Sequence, residues 1–556
     1  MFKRTLLVAA LAAALPAHAA KNKSIELMPL GTFETGIFDD GAAEIVAYDA
    51  DGYRLFVINA AEGSVDVLDI SDPTNPSLAD FIDVTEDFPE GVVGGVNSVA
   101  VREGLVAVAV ENEDKQANGW AAFYTTGGEF LGSVEAGALP DAITFTHNGN
   151  YALVANEGEP SGDYLVDPEG SITIIDLRGG APGVAAHATF EAFNNAVLDP
   201  SIRITGPEAT VAQDLEPEYI ATSHDSKTAW VTLQENNAMA IVDIRSATVT
   251  DLVGLGRKDH SLPGNGLDAS DRDDAINIAN WPVLGTHMPD ALDSFRVRGR
   301  TYLVTANEGD AREYFFEVEN KEACEAQGGL DYDEDDGCLS WIDEERIKDL
   351  DLDPAAFPNA GELQENEAIG RLAAITTEGD TDGDGDYDEL HVFGARSISI
   401  WDAKGKLVAD TGDLMEVKTA EATMFCDGDL EDCSGFNSTN DENDSFDSRS
   451  DAKGPEPEGV VVGKVRGVTY AFVGLERVGG VMVFDVSKPS MPKYVSYVNN
   501  RDFDPTADVS DGKKFYGDLG PEGLVFIKPE DSPNGMPLLV VGAEVSGTTT
   551  IYQVTY

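Results

Sequence analysis

One pattern recurs seven times in this chain and restricts its fold more than any other feature. Each copy begins with an acid or Asn and runs through a short apolar strand and a turn. It continues in a second apolar strand ending near an acid, and closes on a third strand. The copies start at Ala43, Asn97, Pro140, Pro217, Pro289, Pro457 and Pro521. The third and fifth are the most alike. "PDAITFTHNGNYALVANEGEP" closes with "GSITIIDL", and "PDALDSFRVRGRTYLVTANEGD" closes much later with "SISIWDA". Runs rich in β-branched residues, broken by "DADG", "HNGN" and "SPNG", predict strands and tight turns, and helical periodicity is nearly absent. One such unit cannot bury its own apolar faces, so neighbours must stack. Seven units of three or four strands predict an all-β, seven-bladed β-propeller. A pair of β-sandwiches would use the same strands, but it would not need units alike in order and pattern.

The expected organisation is one domain over 20–556 with two acidic, cysteine-containing insertions, at about 315–367 and about 417–455. The first insertion includes the helix-compatible "EERIKDLDLDPAAF". Four cysteines permit three pairings. Local pairs, Cys324 with Cys338 and Cys426 with Cys433, are the simplest, each pinning an acidic loop in an oxidising compartment. The absence of CxxC, and of histidine inside either short loop, argues against zinc.

Lys3, Arg4, the apolar "TLLVAALAAAL" and "AHA" at 17–19 read as a signal peptide over 1–19. The expected location is periplasmic or extracellular. No later apolar run approaches the roughly 20 residues of a spanning helix. The chain ends on the predicted strand "TTTIYQVTY", so covalent surface anchoring is not expected. A formal charge of -64 with only 37 basic residues argues against nucleic acid as a partner, because phosphates would be repelled. It suits solubility in salty water and divalent cations.

Aligned, the units show two columns of acids. Glu44, Asn97, Asp141, Glu218, Asp290, Glu458 and Glu522 precede the first strand. Glu111, Glu157, Glu235, Glu308, Glu476 and Glu544 end the second, where the first unit has Asn59 and Ala60. If the first strand is innermost, these columns ring a central channel. Like charges about 4 Å apart repel by roughly 4 kcal/mol at an effective dielectric of about 20. Such groups must protonate, spread apart in water or bind cations, and oxygen-rich clusters suit Ca²⁺ or another hard divalent ion. The alternative is that they are solvated strand ends or satisfy backbone amides at blade junctions.

"DTDGDGDYD", Asp380–Asp388, matches the start of an EF-hand loop through Gly385. Asp380, Asp382 and Asp384 offer oxygens at alternate positions, Asp386 a carbonyl and Asp388 a closing carboxylate. The twelfth position is His391 rather than Glu, and strands flank the loop, so a calcium hairpin like those of integrin-type propellers is expected instead of a helix pair.

The chain contains no G-x-S-x-G, H-E-x-x-H, P-loop or dinucleotide fingerprint. Its histidines are scattered, with His147 and His224 in predicted turns. Metal-assisted hydrolysis stays open, since a metal cluster activates water without a serine triad. Arg312 and Arg477, beside the acid columns, are candidates to bind an anionic oxygen; pairing with the ring acids is the other expectation.

"GPEATVAQDLEPEYIA", "KDHSLPGNGLDASDRDDAINI", "MPDAL", "VTANEGDAREY" and "KGPEPEGV" together resemble the choice-of-anchor I family, over nearly all of the mature chain. That family includes mesenchyme-specific cell-surface glycoproteins linked to biomineralisation, and some bacterial relatives are described as atypical alkaline phosphatases. The resemblance implies a secreted propeller associated with calcium. Two function classes follow: a calcium-binding protein of surface, matrix or mineral, and a calcium-dependent phosphomonoesterase whose channel carboxylates hold the metal.

Overall fold

The computed structural model describes residues 24–333, 336–423, 435–504, 509 and 515–556. The expected signal peptide and the Cys426–Cys433 pair lie outside these residues. Among the described residues there are seven four-stranded antiparallel sheets: six are each built from one repeat, and the seventh takes three strands from the last repeat. In the third unit Pro140–Phe145, Tyr151–Asn156, Ser171–Asp176 and Val184–Thr189 pair in chain order. The first strands of the units are Val46–Asp49, Val93–Arg102, Pro140–Phe145, Ile220–Thr222, Leu292–Val297, Pro457–Val465 and Pro521–Ile527. Each touches the next, and the last returns to the first. The architecture is a β-propeller with the first strand of every unit innermost.

Apolar side chains fill the gaps between sheets. Phe56 and Val65 meet Val108 and Tyr124 between the first and second. Leu153 and Ile172 meet Val231 and Ala240 between the third and fourth. Val540 and Ile551 of the last sheet meet Leu55 and Leu68 of the first. Each fully buried aliphatic or aromatic side chain stabilises by about 1.5–3 kcal/mol, and the alternation along each strand serves two neighbouring gaps.

The ring is closed by a strand outside the repeats. Glu26–Glu34 pairs antiparallel with Thr548–Thr555, tying both ends of the propeller into one sheet. Its sequence, "ELMPLGTFE", carries a register shift between Pro29 and Gly31 that hides the alternation.

The first insertion is longer than expected, since 308–396 separates the second and third strands of the fifth sheet. It holds a three-stranded sheet of Glu313–Phe316, Asp331–Asp333 and Gly337–Ile342. Cys324, on the helix Lys321–Gln327, is bonded to Cys338 there, the pairing expected for these two. A five-stranded sheet combines Glu344–Arg346, Ala373–Ile375 and His391–Val392 with Arg257–Asp259 and Leu284–Thr286, which precede the fifth unit. It has a core of its own around Leu267, Val283, Ile347, Leu372 and Val392. "EERIKDLDLDPAAF" is not a helix: it forms a short strand and one 3-10 turn, Ile347–Asp349. Gln364 Nε2 donates to the carbonyls of Ile347 (3.0 Å) and Leu350 (2.8 Å), acceptors that a helix would need for itself.

Candidate functional site in the propeller channel

The tripeptides "PDA" and "PEG" are bulges. Pro140 pairs with Asn156, and the register then shifts before Ile143. Pro457 and Pro521 begin equivalent shifts. A bulge at the start of a strand re-aims the side chain within it, and a proline there loses no ladder hydrogen bond. Asp141, Glu458 and Glu522 are therefore turned toward the axis. An axial cavity of about 130 Å³ is lined by residues of every repeat, among them Ile45, Asn97, Asp141, Glu218, Asp290, Gly459 and Glu522. A Cβ on Gly459 would stand 1.9 Å from the carbonyl oxygen of Glu522, so glycine lets these two inner strands approach.

The motif "NEG" has a separate part for each residue. Asn156 is fully buried; its Nδ2 donates to Ser171 O and Thr173 Oγ1, both at 3.0 Å, and its Oδ1 accepts from Gly137 N. Asn307 makes the matching tie to Ser399 Oγ at 2.9 Å. Gly309 has φ +89°, and a Cβ there would lie 2.1 Å from Gly394 N. Glu157 and Glu308 are thus held between a pinned asparagine and a turn.

Acids of the two columns, joined in the last case by Glu456 from outside them, converge in three groups whose ligand oxygens lie within 4.8 Å of one another: Asp141, Glu157 and Glu218; Asp290, Glu308 and Glu458; and Glu308, Glu456 and Glu476. Burial, then Glu159, raises Asp141 to about 7. Burial, then Asp141, raises Glu157 well above the usual range, and burial, then Glu157, does the same for Glu218. Burial, then Glu544 and Asp141, raises Glu44 to about 8. Oε2 atoms of Glu235, Glu458 and Glu522 are sealed from solvent with no hydrogen-bond partner among the described residues. Asn97, the one amide in the first column, spends its Nδ2 on Pro140 O at 3.1 Å.

Among the described residues, cationic side chains pair with Glu308, Glu456 and Glu476. Lys453 Nζ lies 2.9 Å from Glu308, 3.0 Å from Asp310 and 3.5 Å from Glu456. Arg449 forms a two-point pair with Glu456 at 2.8 and 3.1 Å. Burial would raise Glu456, but Arg449 and Lys453 outweigh it and hold the group at about 2. Arg477 Nε is 2.9 Å from Glu476 Oε1, and its Nη1 donates to Asn440 Oδ1. Arg312 is buried and committed to Asp214 and, at 2.8 Å, to Glu216. Glu544, from the last sheet, joins Glu308, Glu458 and Glu476 around a cavity of about 610 Å³, which Lys453 and Arg477 also line. Lys453, Arg449 and Glu456 were missed in the sequence reading. "KGPEPEGV" contains two of them, but nothing in its spacing says that they reach the second column.

The aspartate loop joins Ala373–Ile375 to His391–Val392, which pair antiparallel, so it is a connection between strands. Asp380, Asp382 and Asp388 bring ligand oxygens within 4.8 Å; Asp384 and Asp386 are not in that group. Asp380 accepts from Gly383 N and Gly385 N, and Asp388 from Thr381 N at 2.9 Å. His391 turns away from the loop, to Glu378 at 2.8 Å and Glu389 at 3.0 Å. His147 and His224 are exposed.

The family model of the choice-of-anchor I domain matches residues 44–489. The mesenchyme-specific cell surface glycoprotein of Strongylocentrotus purpuratus is 28% identical over 62% of this chain and 44% of its own length. Gigasin-3a of Magallana gigas is 28% identical over 34% of this chain and 66% of its own. The match thus spans less than half of the sea-urchin protein and just under two thirds of the oyster one. Among solved structures, the β-propeller domain of Cps50 (Swd1) from Myceliophteria thermophila aligns with 95% of this chain and 100% of its own, at 9% identity and a TM-score of 0.42.

Proposed function

Because the chain belongs to the choice-of-anchor I domain family, we propose that it is a secreted, calcium-binding β-propeller acting at a cell surface, in a matrix or on mineral. The name of the sea-urchin relative supports the cell-surface setting, and no helix among the described residues is long and apolar enough to cross a membrane. The carrying observation is the group Asp141, Glu157 and Glu218, whose oxygens converge within 4.8 Å. Oxygens bound to one Ca²⁺ at about 2.3–2.6 Å must lie within about 5 Å of each other. Asp141, Glu157 and Glu218 would hold the ion, with Glu235 as a further donor. Metal analysis of purified protein and calcium titration test this. The double variant Asp141→Asn, Glu218→Gln should lose an ion; an unchanged metal content would overturn the assignment.

A second reading, a calcium-dependent phosphomonoesterase, is favoured by the cavity of about 400 Å³ where Arg449, Lys453 and Arg477 stand beside Glu159 and Glu235. Metal and guanidinium together can stabilise a phosphoryl group. Chelator-sensitive hydrolysis of a phosphomonoester, lost in Glu308→Gln and Asp290→Asn, would establish it. No turnover over a broad range of pH and metals leaves the binding protein.

A further inference from the structure

Away from the channel, a second cluster of acidic groups is buried where Arg396 ties the segment 435–456 to the loop around 264–280. Asp268 is fully buried and Asp447 is 3% exposed. Among the described residues the Asp268 carboxylate accepts only from the backbone N–H groups of Ser270 and Asn277. Asp447 Oδ1 accepts from Ser450 Oγ, which in turn accepts from Asn437 Nδ2 at 2.8 Å. The Asn437 amide and the Asp447 carboxylate thus flank one hydroxyl.

Asn437 and Ser438 are themselves fully buried, and Asn437 Oδ1 and Ser438 Oγ have no hydrogen-bond partner among the described residues. Arg396, the nearby cation, does not neutralise the two aspartates. Its guanidinium is used on the Glu416 carboxylate and on the carbonyls of Asp268 (2.7 Å), Ser450 (2.9 Å) and Ala452 (2.8 Å). Burial, then the neighbouring Asp268, raises Asp447 to about 9; burial, then Glu416, raises Asp268 to about 7. Two buried carboxylates without a counter-charge, and an amide oxygen without a donor on the side chain that shares the Ser450 hydroxyl with Asp447, have the composition of a hard-cation site.

We propose that Asp268, Asp447 and Asn437 Oδ1, with Ser438 Oγ, form a buried calcium site that clamps the segment 435–456 to the loop around Asp268. Its ligands come from two stretches far apart in sequence, so ion binding joins them. Mg²⁺ fits less well, since it keeps several waters and demands near-ideal octahedral geometry. The competing arrangement is a proton shared between the two carboxylates.

Crystals of the full chain soaked in Tb³⁺ give a direct test. An anomalous peak within ligand distance of Asp268 and Asp447 is expected, whether or not the channel carries one. No peak here, with peaks elsewhere in the same crystal, would overturn the site in favour of the shared proton. Native mass spectrometry in Ca²⁺ provides a count. Asp447→Asn should lose one ion and keep the one at Asp141 and Glu218, whereas Asp141→Asn with Glu218→Gln should do the reverse. An Asp447→Asn protein with the wild-type count would also overturn the proposal. If that variant does not fold, the diffraction experiment on the wild type stands alone.

Discussion

Lys453 Nζ stands 2.9 Å from Glu308 Oε1, while Glu157, at the same place in the repeat, meets no cationic side chain among the described residues. The two copies of "ANEG" are alike in backbone and differ in electrostatics: burial raises both glutamates, but a lysine opposes the rise only at Glu308. Around Glu308 the protein carries its own counter-ion; around Glu157 the neighbours are other carboxyl groups. Lys453→Met should therefore open the Glu308 side to metal. One additional calcium per chain is expected by metal analysis at neutral pH. In chelator the variant should lose about 3–5 kcal/mol, the usual consequence of removing one partner of a buried pair, read as a lower denaturant midpoint. An unchanged metal count would mean that Glu308, Glu456 and Glu476 hold no ion even without the lysine.

The raised channel carboxylates set the direction of the pH dependence. Asp141 moves from 3.8 to about 7 and Glu44 from 4.5 to about 8 in the folded protein. Between those values the folded state binds more protons than the unfolded one, so metal-free stability falls as pH rises. Calcium competes with those protons and stabilises the folded state by mass action. The gain in Tm on adding Ca²⁺ should therefore be small at pH 5 and larger at pH 8. Equal gains at both pH values would separate the calcium response from these carboxylates.

The repeats were legible because strand alternation, turn residues and one acid per unit recur at matching places. The same alignment placed Asp141 and Glu218 in one column and Glu157 in the other, but did not single out these three as one group. Their counter-charges were not legible. Lys453 and Arg449 come from an insertion, and their meeting with Glu308 and Glu456 depends on long-range folding that spacing does not encode. Arg312 was visible as a residue but not as one already bound to Asp214 and Glu216. The closing strand Glu26–Glu34 was hidden because Pro29 and Gly31 interrupt its pattern, and its partner lies at the other end of the chain.

Glycine at the turn after the acid is a packing requirement that can be isolated. Gly309→Ala adds a Cβ 2.1 Å from Gly394 N at φ +89°, combining a backbone clash with left-handed strain. A loss of more than about 4 kcal/mol is expected. Gly299→Ala is the control, because φ is +82° there but no atom lies within 4 Å. Conformation alone should then cost about 1–2 kcal/mol. Chemical denaturation of both variants checks the difference; similar losses would show that the Gly394 contact relaxes freely.

The aspartate loop should behave as a weak, local site. Asp380 and Asp382 are exposed, and Asp382 is raised first by Asp384, so like charges crowd the loop without a cation. Gly385, at φ +102°, makes the turn that brings Asp388 back toward Asp380. Exposed extracellular calcium modules bind at about 10⁻⁴–10⁻³ M. At ten times such a Kd, one ion contributes about 1.4 kcal/mol. Asp382→Ala should therefore remove one weak calcium, seen by calorimetric titration, and leave most of the calcium-dependent rise in Tm intact. The channel double variant Asp141→Asn, Glu218→Gln should do the opposite, keeping the weak ion and losing most of the rise. If Asp382→Ala instead removes most of the stabilisation, the hairpin rather than the channel is the dominant calcium site.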